Sequence, residues 1–271
     1  MLRSTTATLF LASLLACAGP PPGPGEDRSE RTTLLGNENR VLLVLPLNVA
    51  AVMPSELELF SPIVWKELEL YLRARDKQLK TISRQAARNL WVRAVKQVRA
   101  EGGPHVGYDD AARVLAVELR KHTEFDALLA PSLFIREARI ANREARWDGV
   151  SRELEFAARG LAARNLVSTP LEGAAPAASF HVAAFDADGD KLHEARGGIE
   201  LLVRVRVNVG ATKGGEEVVV LDPTRSNTRA PHEPLPTFEF ETRTDLFSNR
   251  EHVRDGFNVA LGPFLPAPVP E

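Results

Sequence analysis

Apolar and polar residues fall along this 271-residue chain in three regimes. A short unbroken apolar run, Ala7 to Ala16 (ATLFLASLLA), follows Arg3, and a stretch poor in apolar residues leads from it to Arg40. From Val41 the pattern is that of a folded unit. VLLVLPLNVA (Val41 to Ala50) is nearly continuous and bounded by polar residues, as expected for a strand covered on both faces. Ser55-Glu56-Leu57-Glu58 fits a capping box, and Ser61-Pro62 offers a second helix start with proline in the first turn. That helix continues to about Arg75 with Val64, Leu68, Tyr71 and Leu72 on one stripe. QLKTIS (Gln78 to Ser83) alternates weakly and reads as a short strand. Ser83 then caps a helix whose Leu90, Trp91, Ala94, Val95 and Val98 share a face, stopped by Gly102-Gly103-Pro104. Asp109 caps a third helix through His122, with Val114, Leu115 and Leu119 inward. ALLAPSLFI (Ala127 to Ile135) is a second buried-type run, interrupted by Pro131.

Beyond Ile135 the period changes. Arg136 to Phe156 predicts a hairpin or meander with a turn at Asp148-Gly149. Ala157 to Ala178 has no clear period. SFHVAAFDADGDKLHEARGG carries the strongest hairpin signal, the centred Asp188-Gly189. Val203, Val205, Val207 and Val209 alternate with Arg204, Arg206 and Asn208, a half-exposed strand, and EVVVLD (Glu217 to Asp222) predicts another. Ser248-Asn249-Arg250-Glu251 is a second capping box, opening a helix with Val253, Phe257, Ala260 and Leu261 on one side and Gly262-Pro263 at its end. The expected class is α/β (α+β): a mixed β-sheet with a β-α-β-α-α-β start, antiparallel hairpins following, and a C-terminal helix. Residues 41–262 are expected to form one α/β domain, mostly antiparallel β over 136–222, and 263–271 a Pro-rich tail. The runs Val41 to Ala50 and Ala127 to Ile135 should be parallel neighbours in one sheet, because the intervening helices supply the crossover.

The strand RVLLVLPLNV, the FDALLAPSLF run and the hairpin AAFDADGDKLHEAR together resemble a superfamily of bacterial envelope domains. It includes the amino-terminal domain of TolB, the curli export lipoprotein and the lipoprotein activators of penicillin-binding proteins. Phe125 stands where those families usually carry Gly before Asp126, and no long amphipathic segment matches the exporter's membrane hairpins. The resemblance implies a non-catalytic domain that contacts other envelope proteins, and it transfers no individual functional residue.

The first forty residues place the protein rather than describe its chemistry. Residues 1–16 read as a signal peptide, since the apolar run is far shorter than the roughly 20 residues a membrane span needs. Leu14-Leu15-Ala16-Cys17 resembles a bacterial lipobox, in which the cysteine is acylated and begins the mature chain. Cys17 is the only cysteine, so it has no intramolecular disulfide partner. Residues 17–40 form the lipid-anchor Cys and a Pro/Gly-rich polar linker, with Gly19-Pro20-Pro21-Pro22-Gly23-Pro24-Gly25 at its head. Its reach from Ala18 to Arg40 is at most about 75 Å. Ala18 is not the Asp that retains enteric lipoproteins at the inner membrane, so the expected location is the cell envelope, lipid-anchored at the outer membrane and facing the periplasm.

Composition changes the picture only by exclusion. Hydrophobic residues make up 44% and charged residues 26%, ordinary for a globular domain. A formal charge of −2 and a pI near 6.3, with acids and arginines interspersed, argue against nucleic acid as a partner. No second apolar stretch is long enough to span a bilayer, which leaves the N-terminal lipid as the expected membrane contact.

Candidate chemistry is sparse. Asp186-Ala187-Asp188-Gly189-Asp190 suggests a calcium loop, but its glycine falls between the second and third Asp, and position 12 is Gly197. As a two-residue turn it pairs Asp186 with Lys191 and Phe185 with Leu192. That register sets His193 opposite Ala184 and His181 opposite Arg196, on opposite faces, so the two histidines cannot share a metal. No HExxH, Cys/His cluster, GxSxG elbow, phosphate loop or GxGxxG is present. The expectation is therefore no catalytic residue, no metal and no cofactor. Trp65, Trp91 and Trp147 read as packing residues, and Trp147 with Asp148, in a WDG turn that could leave the ring exposed, is the one candidate for partner binding. Three classes stay open: a non-catalytic protein-binding or scaffold lipoprotein, an envelope hydrolase with a site assembled from scattered Asp, Glu and His, and a small-ligand or lipid-binding lipoprotein. The first is the expected one, with an envelope protein as partner.

Overall fold

The structure, a computed structural model, describes residues 40–75, 78–102, 105–157, 172–208 and 237–266. In chain order the elements are β1 (Val41–Val44), α1 (Ser55–Glu58), α2 (Ser61–Arg73), β2 (Gln78–Thr81), α3 (Arg84–Gly102), α4 (Tyr108–Arg120), β3 (Ala127–Ala141), β4 (Glu144–Trp147), β5 (Val150–Glu153), β6 (Phe156–Ala157), β7 (Glu172–Phe185), β8 (Lys191–Leu201), β9 (Val203–Asn208), β10 (Thr237–Thr242) and α5 (Arg250–Leu261). The class is α+β, built on a mixed seven-stranded sheet with a C-terminal helix. None of the described helices is long and apolar enough to cross a membrane.

The first strand is short and lies between two parallel neighbours. β1 runs parallel to β2 on one side (Val41↔Gln78 to Val44↔Thr81) and to β3 on the other (Leu42↔Ala127 to Val44↔Leu129). The crossover over α3 and α4 is what makes the β1–β3 pairing parallel. β7 lies antiparallel along nearly the whole of β3, from Leu128↔Phe185 to Ala141↔Glu172. Since β7 takes one edge of β3 throughout, β1 and β4 divide the other, β4 pairing only at Arg139 to Ala141. β8 follows β7, and β5 follows β4. Both faces are covered. One carries Leu42, Val44, Leu129, Phe180 and Val182 against Leu68 and Leu72 of α2 and Phe257 and Leu261 of α5. The other carries Leu43, Leu128, Ala183 and Phe185 against Ala87 and Ala94 of α3 and Leu115 and Leu119 of α4. Continuous apolar runs in β1 and β3 follow from this double coverage. Full burial of one such side chain, for example Phe257, contributes about 2–3 kcal/mol.

Pro131 sits inside β3 without breaking it, for a local reason. Odd-numbered β3 residues turn their backbone groups toward the β1 side: Leu129 O accepts from Leu45 N at 2.9 Å and Pro131 O from Asn48 N at 3.1 Å. The missing proline N–H therefore falls just past the end of β1, where a ladder bond is no longer required. Asn48 then takes over as a surrogate strand. Buried and at φ 59°, its amide accepts from Leu133 N and donates to Leu133 O, each at 2.8 Å.

The antiparallel half differs from expectation in its turns. β3 does not stop at Ile135 but runs on to Ala141, and the reversal comes at Asn142-Arg143, both at positive φ. The Asp148-Gly149 turn is where the pattern placed it, again with both residues at positive φ. At the 186–190 hairpin, Ala184↔His193 and His181↔Arg196 pair as expected, but Phe185 meets Lys191 instead of Leu192, across a bulge. The Asp186 carboxylate causes this by accepting from the backbone N–H groups of Asp188 (3.0 Å) and Asp190 (2.8 Å), which lengthens the turn beyond two residues. β9 leaves the main sheet and forms a three-stranded one, order β10-β9-β6.

The caps are also corrected. Pro54, Phe60 and Gly107 occupy the N-cap positions of α1, α2 and α4, so Ser55, Ser61 and Asp109 lie inside the first turns and cap nothing. Ser83 Oγ does accept from Ala86 N, and α5 is capped by Asn249, not Ser248, through Glu251 N at 3.0 Å. Phe264 and Leu265, read as an irregular tail, are buried against α5. Residues 1–39, the strand expected at Glu217 to Asp222, and most of the Ala157 to Ala178 stretch lie outside the described residues.

Candidate functional site

The feature best built for recognition is a groove of about 670 Å³ where β2, α3 and the end of α4 meet. Leu43, Ile82, Leu90 and Leu119 form its apolar floor, and Lys80, Asn89, Arg93 and His122 its rim. Among the described strands β2 pairs only with β1, so it is the edge of the seven-stranded sheet, with its outer backbone groups available for a further strand. The sequence explains why this edge is tolerated. β2 is four residues long and polar, and Lys80 projects an ammonium that donates to Glu124 O at 2.8 Å rather than to a carboxylate. His122 lies 3.8 Å from Glu118, whose carboxyl is held below its ordinary range chiefly by the hydrogen bond from Lys121 (2.6 Å).

A second, somewhat more enclosed depression of about 530 Å³ lies between Arg40, Arg120, Phe125, Asp126, Asp186, Asp188 and Leu192. The Asp carboxylates in and beside it are already engaged. Asp188 pairs with Arg120, Asp190 stands 3.9 Å from Arg113, Asp126 accepts from Val41 N at 2.8 Å, and Asp186 holds its own turn. No group of three His, Cys, Asp or Glu among the described residues is arranged to hold a metal ion. Phe125, the departure from the resembled families, fills a place in the core against α4.

The sequence-derived candidates separate. His181 bonds Glu194 at 3.0 Å on the α4 face, where Lys191 also joins Glu194 (2.8 Å) and Asp109 (2.6 Å). Those contacts hold Glu194 below its ordinary range, the hydrogen bond from Lys191 being the largest cause. His193 faces α5, 2.7 Å from Ala260 O and stacked on Phe264. Trp147 is not exposed: at 7% accessibility it packs with Ile140, Ala145 and Leu201 and donates from Nε1 to Ala178 O at 3.2 Å. Its neighbour Asp148 keeps its side chain nearly covered, 3.7 Å from Arg136, while its carbonyl accepts from Gly198 N at 3.0 Å. The WDG turn is thus folded onto β8, and the ring is a packing residue, the role the sequence favoured for it, and not an exposed partner anchor. Cys17 lies outside the described residues.

A buried polar cluster was not anticipated. Arg243, just after β10, meets Glu200 (2.9 Å), Glu155 (3.1 Å) and Asp245 (3.2 Å), and Glu200 also accepts from Phe247 N at 2.6 Å. Burial raises the Glu200 carboxyl above its ordinary range despite the Arg243 charge. His252, with Nδ1 3.9 Å from Glu200, is pushed down by burial and by the Arg152 charge, so it is neutral at pH 7. The only cue in sequence was one carboxylate inside the apolar run Ile199 to Val203. Glu67 is similar: buried on the α2 stripe, it faces Arg250 and Arg254 of α5 at 3.4 and 3.3 Å. These ion pairs join elements far apart in sequence and line neither groove.

No protein-family model, curated protein or solved structure matches this chain.

Proposed function

We propose that this protein is a lipid-anchored cell-envelope module, acylated on Cys17, that binds another envelope protein without catalysing a reaction. The groove beside β2 is its recognition site, and the occupant is an extended acidic segment of the partner that adds a strand to the open edge. The observation that carries the reading is the coincidence of three features in one place: an unpaired sheet edge, an apolar floor, and a rim of Lys80, Arg93 and His122. Backbone pairing supplies affinity in strand addition, and pockets for alternate side chains supply selectivity. The sequence resemblance to envelope domains that contact other envelope proteins points the same way.

A photo-crosslinking residue at Asn89, on the rim, tests this in cells producing the acylated protein. The expected result is one defined adduct that is lost in a Lys80→Glu/Arg93→Glu variant and absent when the crosslinker is placed at the exposed Arg139 of β3. An adduct indifferent to the charge reversal, or no adduct together with hydrolytic activity on an envelope polymer, would overturn the reading.

A further inference from the structure

Helix α3 carries an imbalance of charge found on no other described helix. Arg84, Arg88, Arg93, Lys96 and Arg99 are all exposed, and its one acid, Glu101, hydrogen-bonds Gln97 one turn before it. At about 100° per residue, Arg84, Arg88, Lys96 and Arg99 fall within an arc of about 120°, with the exposed Val92 and the half-buried Val95 between them. Leu90, Trp91, Ala94 and Val98, turned toward the protein, lie outside that arc, and Arg93 belongs to the groove side. The stripe is about 22 Å long. Among the described residues none of its four cations forms an ion pair. Many arginines elsewhere differ: Arg73, Arg113, Arg120, Arg146, Arg152, Arg204 and Arg243 each meet a carboxylate. The net charge of the whole chain is −2, so the stripe is a local excess and not a reflection of a basic protein.

We propose that this stripe docks α3 lengthwise on an anionic lipid surface. The chemistry favours lipid headgroups over a folded partner. Protein interfaces are depleted in lysine at their core and need a buried anchor, whereas this flank offers only Val92, 44% exposed, and the half-buried Val95 beside four long cationic side chains. A charged bilayer requires no shape match. It attracts each nearby Lys or Arg additively, within about a Debye length, and the aliphatic stems lie along the headgroup layer while the cations reach phosphate. The proposal is independent of the groove, since the two use different flanks of α3.

Vesicle flotation with the full chain carrying Cys17→Ser, so that no acyl group contributes, tests it. Vesicles of phosphatidylglycerol and phosphatidylcholine in equal parts should bind the protein at low salt, and pure phosphatidylcholine vesicles should not. Replacing Arg84, Arg88, Lys96 and Arg99 by glutamine should weaken binding roughly 10²- to 10³-fold. Replacing the three arginines by lysine should preserve it, and Lys66→Gln/Arg73→Gln on α2 should leave it unchanged. Because the four side chains are exposed, the glutamine variant should keep the parent's circular dichroism and melting temperature. Equal binding by the glutamine variant, no binding by the Cys17→Ser chain, or binding to polyglutamate but not to vesicles would each overturn the proposal.

Discussion

Arg243 shows how a single side chain can hold two sheets in register. It follows β10 of the small sheet, yet its guanidinium reaches Glu200 of β8 in the large one, and both side chains are almost fully buried. Desolvating such a pair costs as much as the attraction returns, so the pair does not by itself explain stability, but removing one member leaves a buried charge without its counterion. Arg243→Met should destabilise the fold by about 3–5 kcal/mol at pH 7, read from urea unfolding. The pH dependence has a definite sign. Burial already raises the Glu200 carboxyl, so the folded state binds its proton more tightly than the unfolded chain. That favours the folded state at low pH, and the benefit is lost as pH rises through the raised value. Without Arg243 the carboxyl rises further, and the deficit of the variant should shrink as pH is lowered from 7 toward 5. A deficit that is flat across that range would mean that Glu200 remains ionised in the variant and that the lost packing of Arg243 sets the cost.

At the scale of elements, the contact between α5 and β8 shows why Gly197 and Gly198 are where they are. A Cβ on Gly197 would collide with the Gly256 carbonyl oxygen, and one on Gly198 would sit 2.6 Å from Trp147 Nε1. Helix, strand and WDG turn all converge on this pair, beside the irregularity that sets Ser179 opposite Gly198 and Ala178 opposite Glu200. Gly197→Ala should therefore cost about 3 kcal/mol, at the upper end for overpacking, because backbone rather than a side chain must give way. Gly102→Ala, with nothing within 4 Å of the added methyl, should cost nothing measurable in the same thermal melts. The glycine pair stands out in the sequence but its cause does not, since a close approach by α5 leaves no trace in β8 itself. The same division holds elsewhere. Buried stripes such as Val64-Leu68-Leu72 and Val253-Phe257-Leu261 were legible because periodicity records which side is covered. The parallel β1–β3 pairing was legible because connection length dictates it. The Asn142-Arg143 turn was missed because arginine at positive φ is not a turn signal, and the burial of Trp147, favoured but not fixed by the sequence, depends on a turn folding back onto a neighbouring strand. The groove was legible only in pieces, since Leu43, Ile82, Leu90 and Leu119 come from four segments that the tertiary fold brings together.

For the whole molecule, the two proposed membrane contacts differ in physical kind and can be separated. An acyl chain on Cys17 holds by burying hydrocarbon, about 0.8 kcal/mol per methylene, and is insensitive to salt. The α3 stripe holds by charge and weakens as the Debye length falls from about 10 Å at 0.1 M to about 3 Å at 1 M salt. The linker expected from the sequence, at most about 75 Å long, would keep the folded part within reach of the surface, so that the weaker contact acts at a raised local concentration. In cell fractions the parent protein should stay with the membrane at all salt concentrations and resist extraction. Cys17→Ser should abolish lipid labelling and leave an association that high salt removes. Cys17→Ser combined with glutamine at Arg84, Arg88, Lys96 and Arg99 should be released even at low salt. Salt-resistant membrane association of Cys17→Ser would refute acylation as the anchor. If Cys17→Ser alone were released completely at low salt, the stripe would make no contact in the cell, whatever it does on vesicles.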